Sequence, residues 1–309
     1  MEAPLYSKIS LLARQVSLLM LGTFHERQGD QSLLTNDEGG AWARLIGVGL
    51  SQKFSGPLEP SFNGTVGGAQ VGSDAYAWDN RSNRVGGFAS YAHASGTVRG
   101  DILDIRNQLG GSLPEDVITG GGYFTHVGDN GWYVDAVVMG SWYNAYPMSE
   151  RGIGTHTTGS GITVSLEGDY PWMLDEDWTL EGMGQAIFTS LSFGSASDPF
   201  TTLDFQPGDA WYGRLGARLE RNITIDGRPA KPFFELSFWH GFGSTDTTVY
   251  NGSIPIAIPF GNTDIEAAIG ITSQVSDSFS LNVRLGTLTS IEGNYQQAYK
   301  GQIGFRYAW

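Results

Sequence analysis

The segment 295–309 alternates with a period of two. Tyr295, Tyr299, Ile303, Phe305, Tyr307 and Trp309 fall on one face, interrupted by Gln297 and Gly301, and Gln296, Ala298, Lys300, Gln302, Gly304, Arg306 and Ala308 fall on the other. Alternation over this length marks a β-strand with one apolar and one polar face. A soluble sheet turns the apolar face to a core, whereas a transmembrane barrel turns it to lipid and gives the polar face to a lumen. Comparable segments recur at 41–53, 64–78, 84–98, 116–127, 132–145, 158–170, 178–192, 210–222, 232–242, 263–275 and 279–287, about twelve strands in all. Arg214 and Arg218 oppose Leu215 and Leu219; Asp264, Glu266 and Gln274 oppose Ile265, Ile269 and Ile271; Ser280, Asn282 and Arg284 oppose Phe279, Leu281, Val283 and Leu285. The first strand is the weakest, because Trp42, Arg44, Ile46 and Val48 share one face.

The connections between these segments carry independent information. Those at 54–63, 99–115, 146–157, 193–209, 243–262 and 288–294 are each longer than the connections next to them in sequence, at 79–83, 128–131, 171–177, 223–231 and 276–278. Short turns on one side and long loops on the other is the habit of outer-membrane barrels. The short ones have turn chemistry, as in Gly128-Asp129-Asn130-Gly131, Asp79-Asn80-Arg81-Ser82 and Ser276-Asp277. This parity puts Trp309 and the start of the first strand on the periplasmic side. Anything preceding that strand then has to return through the barrel from outside.

Before residue 30 the pattern is different. Leu5, Ile9, Leu12, Val16 and Leu19 recur at helical spacing, with Lys8, Arg14, Gln15 and Arg27 elsewhere, and predict one helix over 5–26. It would be roughly 33 Å long, enough to cross a bilayer core if sheltered from lipid. Leu11, Leu18 and Leu21 lie off the stripe. Val16–Gly22 is too short for a transmembrane helix. It is also poorly placed for a signal peptide, with Glu2 in the basic region and Phe24-His25-Glu26-Arg27 where small residues belong. An export signal is expected outside these 309 residues.

Composition agrees with a barrel. Glycine is abundant, at 44 residues, without a collagen period, and charged residues are only 16 %, which suits strands that pack and bend closely. The mean hydropathy of −0.18 does not argue for a soluble protein, because only alternate residues face lipid. A net charge of −14 argues against nucleic acid as a partner. With no cysteine there is neither a disulfide nor a thiolate metal site.

The closing Phe305-Arg306-Tyr307-Ala308-Trp309 resembles the terminal strand of bacterial outer-membrane proteins. A more specific resemblance spans the chain. Pro4-Leu5-Tyr6 through Ala13-Arg14-Gln15, with Met20-Leu21-Gly22-Thr23-Phe24-His25-Glu26-Arg27, is similar to the linker helix of type Va autotransporters, the family with pertactin-like and adhesin-like members. Gly40-Ala41-Trp42-Ala43-Arg44 resembles that family's first strand, and Leu166-Glu167, Tyr170-Pro171-Trp172 and Trp178-Thr179-Leu180-Glu181 with Gln185 its central hairpin. Pro232-Phe233 with Trp239-His240 resembles a later strand. The resemblance implies an all-β membrane protein: a twelve-stranded antiparallel transmembrane β-barrel (39–309) with an N-terminal α-helix (1–30) in the lumen. It implies a translocator that inserts in the bacterial outer membrane and lets its own N-terminal passenger reach the cell surface, the passenger lying outside this sequence. The implied partners are outer-membrane lipid and lipopolysaccharide, the β-barrel assembly machinery, periplasmic chaperones and the passenger; the domain is expected to be a monomer without cofactor or metal. One branch of the family cuts its linker at adjacent asparagines. The segment 1–30 has no asparagine, so that chemistry is not carried over.

Alternation assigns Glu167, Glu181, Gln185, Arg214, Arg218, Glu235, Glu266, Arg284, Lys300 and Arg306 to the pore lining. Such charges either hold the helix, through Lys8, Arg14, Gln15, His25, Glu26 and Arg27, or pair with one another within the wall, since buried unpaired charge is costly. Glu181 and Glu235 are candidate partners for Lys8, Arg14 and Arg27. Phe305, Tyr307 and Trp309 are the candidate assembly signal. Trp132, Trp142, Trp172, Trp178, Trp211, Tyr295 and Trp309, near strand ends, fit interfacial girdles.

Two other readings start from the same barrel. A porin-like channel leaves the helix unaccounted for. An omptin-like protease would use rim residues such as His93, His156, Asp101 and Asp104, but no spacing fixes an Asp–His pair, and His25-Glu26 lacks the second histidine of a zinc helix.

Overall fold

The computed structural model describes residues 2–29, 39–79, 82–103 and 105–309; the expected turn residues Asn80 and Arg81, and Asp104, lie outside them. Twelve long strands form one closed antiparallel barrel. They are β1 (Gly40–Lys53), β2 (Ser61–Trp78), β3 (Asn83–Ile102), β4 (Glu115–Val127), β5 (Tyr133–Ala145), β6 (Thr157–Met173), β7 (Trp178–Phe193), β8 (Ala210–Arg221), β9 (Arg228–Phe242), β10 (Asn262–Ser276), β11 (Phe279–Gly293) and β12 (Tyr295–Ala308). Each pairs with its neighbours in sequence, and β12 returns to β1 with Gly47 opposite Gly301. Closure leaves no open edge, the condition for a sheet to stand in hydrocarbon.

The alternation sorts the two faces as expected. Leu45, Ile118, Val138, Leu166, Leu215, Ile269 and Leu285 are exposed on the outside, a surface that lipid covers favourably. Of the expected girdle, Trp142, Trp172, Trp211, Tyr295 and Trp309 are exposed and Trp132 and Trp178 half-buried.

Three features of the sequence reading are corrected. The single helix over 5–26 is three: α1 (Ala3–Tyr6), α2 (Ile9–Leu21) and α3 (Phe24–Gln28). The break follows Leu21, where Gly22 takes φ of 61°, a left-handed conformation that suits glycine. A Cβ there would also stand 2.3 Å from the Arg44 guanidinium. Thr23 and Glu26 then form a capping box that restarts the helix. Second, the loop expected at 288–294 is consumed by strand, leaving only Asn294 between β11 and β12. Third, other long connections contain strands. Ala196–Ser197, Thr202–Gln206, Ser244–Tyr250 and Ile254–Phe260 form a second, four-stranded sheet, and Ile105–Ser112 folds back on β3.

The helices fill the barrel. Leu5, Ile9, Leu12 and Val16 pack with Val48, Phe62, Val66, Val98, Val117 and Tyr143 of the wall. Leu21, with Leu18 beside it, meets Trp42, Phe88, Tyr123 and Met139. Leu11 meets Phe54, Ala210, Ile258 and Phe260. Leu11, Leu18 and Leu21 are therefore not misplaced: a helix enclosed on all sides needs apolar residues all round. The mixed inner face of β1 has the same cause, since Trp42 and Val48 line the helix's berth.

Candidate functional site

The site is the lumen with the segment 2–29 inside it. Twelve strands about 4.8 Å apart and tilted by about 40° give a backbone diameter near 24 Å. Inward side chains reduce this to roughly 14 Å, just enough for a helix about 10–12 Å wide. A cavity of about 100 Å³ remains beside the helix, between Leu11, Gln15 and Leu18 and the wall residues Trp239, Glu266 and Lys300.

Polar contacts run along the whole segment. At the end carrying the long loops, Glu2 meets Arg151 at 2.6 Å, and Tyr6 donates to Asp198 at 2.7 Å. Burial acts to raise the pKa of Asp198, but the Tyr6 hydroxyl and the amides of Phe200 and Thr201 outweigh it and hold the carboxyl below its ordinary range. Lys8 donates to Gln52 at 2.7 Å and lies over the Phe54 ring. Arg14 pairs with Asp246 at 2.9 Å, donates to the Gly208 carbonyl and rests on Phe260. Gln15 accepts from Gln52 at 3.2 Å.

At the other end the helix stop is clamped. The Met20 carbonyl, left without a partner where α2 ends, accepts from Arg44 at 2.7 Å and Gln70 at 3.0 Å. Gln185 donates to the Gly22 carbonyl, and Glu167 accepts from the Phe24 amide at 3.2 Å. His25 stands 3.2 Å from Glu181. Glu26 pairs with Arg284 at 3.0 Å, Arg27 forms a fully buried pair with Asp135, and Arg306 donates to Gln28 at 3.2 Å.

All ten residues assigned to the pore lining point inward. Glu167, Glu181, Gln185, Arg284 and Arg306 reach the linker as described. Arg214 pairs with Glu235 at 2.9 Å, Lys300 with Glu266 at 3.0 Å, and Arg218 lies 3.5 Å from Glu220, contacts within the wall. Arg284 joins the two sets by also bonding Glu235 and Glu266. The suggested partners for the basic residues are corrected: Lys8 takes Gln52, Arg14 takes Asp246 and Arg27 takes Asp135. Sequence reasoning missed Arg44, Asp135, Asp169, Glu220 and Asp246. Asp135 was within reach, because it sits opposite Glu167 on the same alternating face.

Phe305, Tyr307 and Trp309 share the outward face of β12 and its end, Tyr307 and Trp309 being half exposed. The rim histidines have other partners than the aspartate expected for them among the described residues, Asp101: His93 bonds Asp116 at 2.8 Å, and His156 stacks on Tyr146. The Asp101 carboxylate accepts the Asn107 amide.

The autotransporter β-domain family model matches residues 41–286. This chain belongs to that family. The β-domain is 29 % identical over 246 residues to the BrkA autotransporter of Bordetella pertussis, covering 77 % of this chain and 23 % of that protein. It is 25 % identical over 284 residues to the pertactin autotransporter of Bordetella parapertussis, covering 89 % of this chain and 29 % of that one. The chain thus spans about a quarter of the length of these relatives. Its fold matches the crystal structure of the transport unit of the autotransporter AIDA-I from Escherichia coli with a TM-score of 0.77, at 16 % identity over 98 % of this chain and 99 % of that one. Autotransporter β-domains are outer-membrane proteins of Gram-negative bacteria, and the family is one of transport rather than catalysis.

Proposed function

We propose that this β-domain carries its own N-terminal passenger across the outer membrane and anchors it there, with residues 1–30 as the linker left in the pore and 39–309 as the barrel. The observation that carries this is the matched fit along 2–29. A helix held at both ends and packed on every side is a segment built to rest in this lumen, with its N-terminal end among the long loops. The remaining bore fits one helix and no folded domain. In this reading Glu167, Glu181, Gln185, Arg284 and Arg306 hold the linker, and the other lining residues keep the wall polar and neutralised. The domain works as a monomer, without enzymatic activity and without nucleic acid, against lipid and lipopolysaccharide. An epitope fused ahead of residue 1 should be cleaved by protease added to intact cells. Protection of the epitope until the cells are lysed would overturn the reading.

The barrel itself has a direct signature. Unboiled protein in detergent should migrate faster than boiled protein on a semi-native gel, with β-dominated circular dichroism. A folded monomer soluble without detergent would contradict membrane insertion.

We further propose that Phe305, Tyr307 and Trp309 are recognised by the β-barrel assembly machinery after periplasmic chaperones deliver the unfolded chain. Their shared exposed face at the strand end supports this. Deleting Trp309 should lower outer-membrane levels several-fold, whereas Ala308→Ser should leave them near wild type. Equal levels in both variants would count against it.

A further inference from the structure

We propose that His25, Asp169 and Glu181 form a binding site for a divalent transition-metal ion of the zinc class, joining the linker to the barrel wall. His25 lies on α3, Asp169 on β6 and Glu181 on β7. All three are buried, and one ligand atom from each lies within 4.8 Å of the others. Ligands about 2.1 Å from a tetrahedral ion stand about 3.4 Å apart. The 3.2 Å from His25 to Glu181 already meets that spacing, and Asp169 lies within 4.8 Å of both.

Two further observations point to a cation. Asp169 Oδ2 is buried and makes no hydrogen bond among the described residues, a cost that folded proteins seldom leave unrelieved. The neighbourhood is also acidic. Asp169, Glu181 and Glu220 face Arg218, 3.7 Å from Glu181 and 3.5 Å from Glu220, and Lys231, 3.1 Å from Glu220. Those two cations pair with Glu181 and Glu220, and no ion pair to Asp169 is present among the described residues. On the linker's other side, Asp135 is taken by Arg27, while Glu167 accepts from Tyr133 and the Phe24 amide. One imidazole with two carboxylates suits Zn²⁺ better than Mg²⁺, which prefers oxygen alone. Tyr133 and Phe24 pack their rings against the imidazole and fix its orientation. Because His25 belongs to the linker, the complete site exists only while the linker is seated. The ion would therefore act as an interlock on the plugged state.

The test uses tag-free chain 1–309, refolded in detergent after chelator treatment, with folding checked by gel migration. Calorimetric titration should give one Zn²⁺ per chain, no comparable uptake of Mg²⁺, and a visible Co²⁺ absorption band. His25→Gln and the nearly isosteric Asp169→Asn should each weaken Zn²⁺ binding by about tenfold or more. Asp116→Asn, which disrupts the exposed His93 pair, should leave it unchanged. The proposal is overturned if the wild type takes up no Zn²⁺, if Asp169→Asn binds like wild type, or if Asp116→Asn is the variant that loses binding.

Discussion

A chain lacking residues 1–30 should fold into a barrel that conducts ions roughly tenfold or more better than the full domain. A cavity of about 100 Å³ lies beside the seated segment, whereas the emptied lumen would be a wet bore about 14 Å across. Planar-bilayer recording of both proteins gives the comparison directly. The truncated barrel should also melt at a lower temperature. It loses the apolar packing of Leu5, Ile9, Leu12 and Val16 and strands Asp135 and Asp246 without their arginines. Equal conductance would mean that the segment does not occupy the lumen in the membrane, and the export reading would lose its main support.

Asp135→Ala should destabilise the folded domain by about 3–5 kcal/mol, because it leaves Arg27 charged and enclosed. Among the linker–wall ion pairs of the described residues, Arg27–Asp135 is the most deeply buried, with both side chains almost inaccessible. Asp135 is further fixed by the Thr125 hydroxyl at 2.5 Å, and Arg27 donates a second bond to the Leu21 carbonyl at the helix stop. A neutral pair should behave differently. Arg27→Met combined with Asp135→Leu removes both charges together, so most of the lost stability should return. Urea unfolding in detergent, followed by tryptophan fluorescence, measures the cycle. If the double variant is as unstable as Asp135→Ala plus Arg27→Met added together, the two residues are not energetically coupled and the clamp lies elsewhere. A loss well below 3 kcal/mol for Asp135→Ala alone would mean that Glu167, which holds the neighbouring Phe24 amide, takes over the arginine.

The sequence alone determined the barrel. In a membrane every strand is read twice, once by lipid and once by the lumen, so period-two alternation survives along the whole chain. All twelve strands and the ten inward-facing residues could therefore be placed from spacing, and long and short connections gave the two ends of the barrel. Tertiary structure decided the rest. Leu11, Leu18 and Leu21 broke the expected stripe because a one-sided helix was assumed, and enclosure is a property of the assembled ring. The Met20 carbonyl freed at the helix stop is satisfied by Arg44 and Gln70, which approach from other elements. Ile254–Phe260 looked like loop because its strand partner, Ser244–Tyr250, and the helix it covers give it a structure that local propensity does not. Charge pairing was the least legible feature. Periodicity says which face a side chain takes, but not which of many carboxylates around a closed wall lies opposite a given arginine. That depends on the rotation and depth of the helix in the bore, and packing along its whole length sets both.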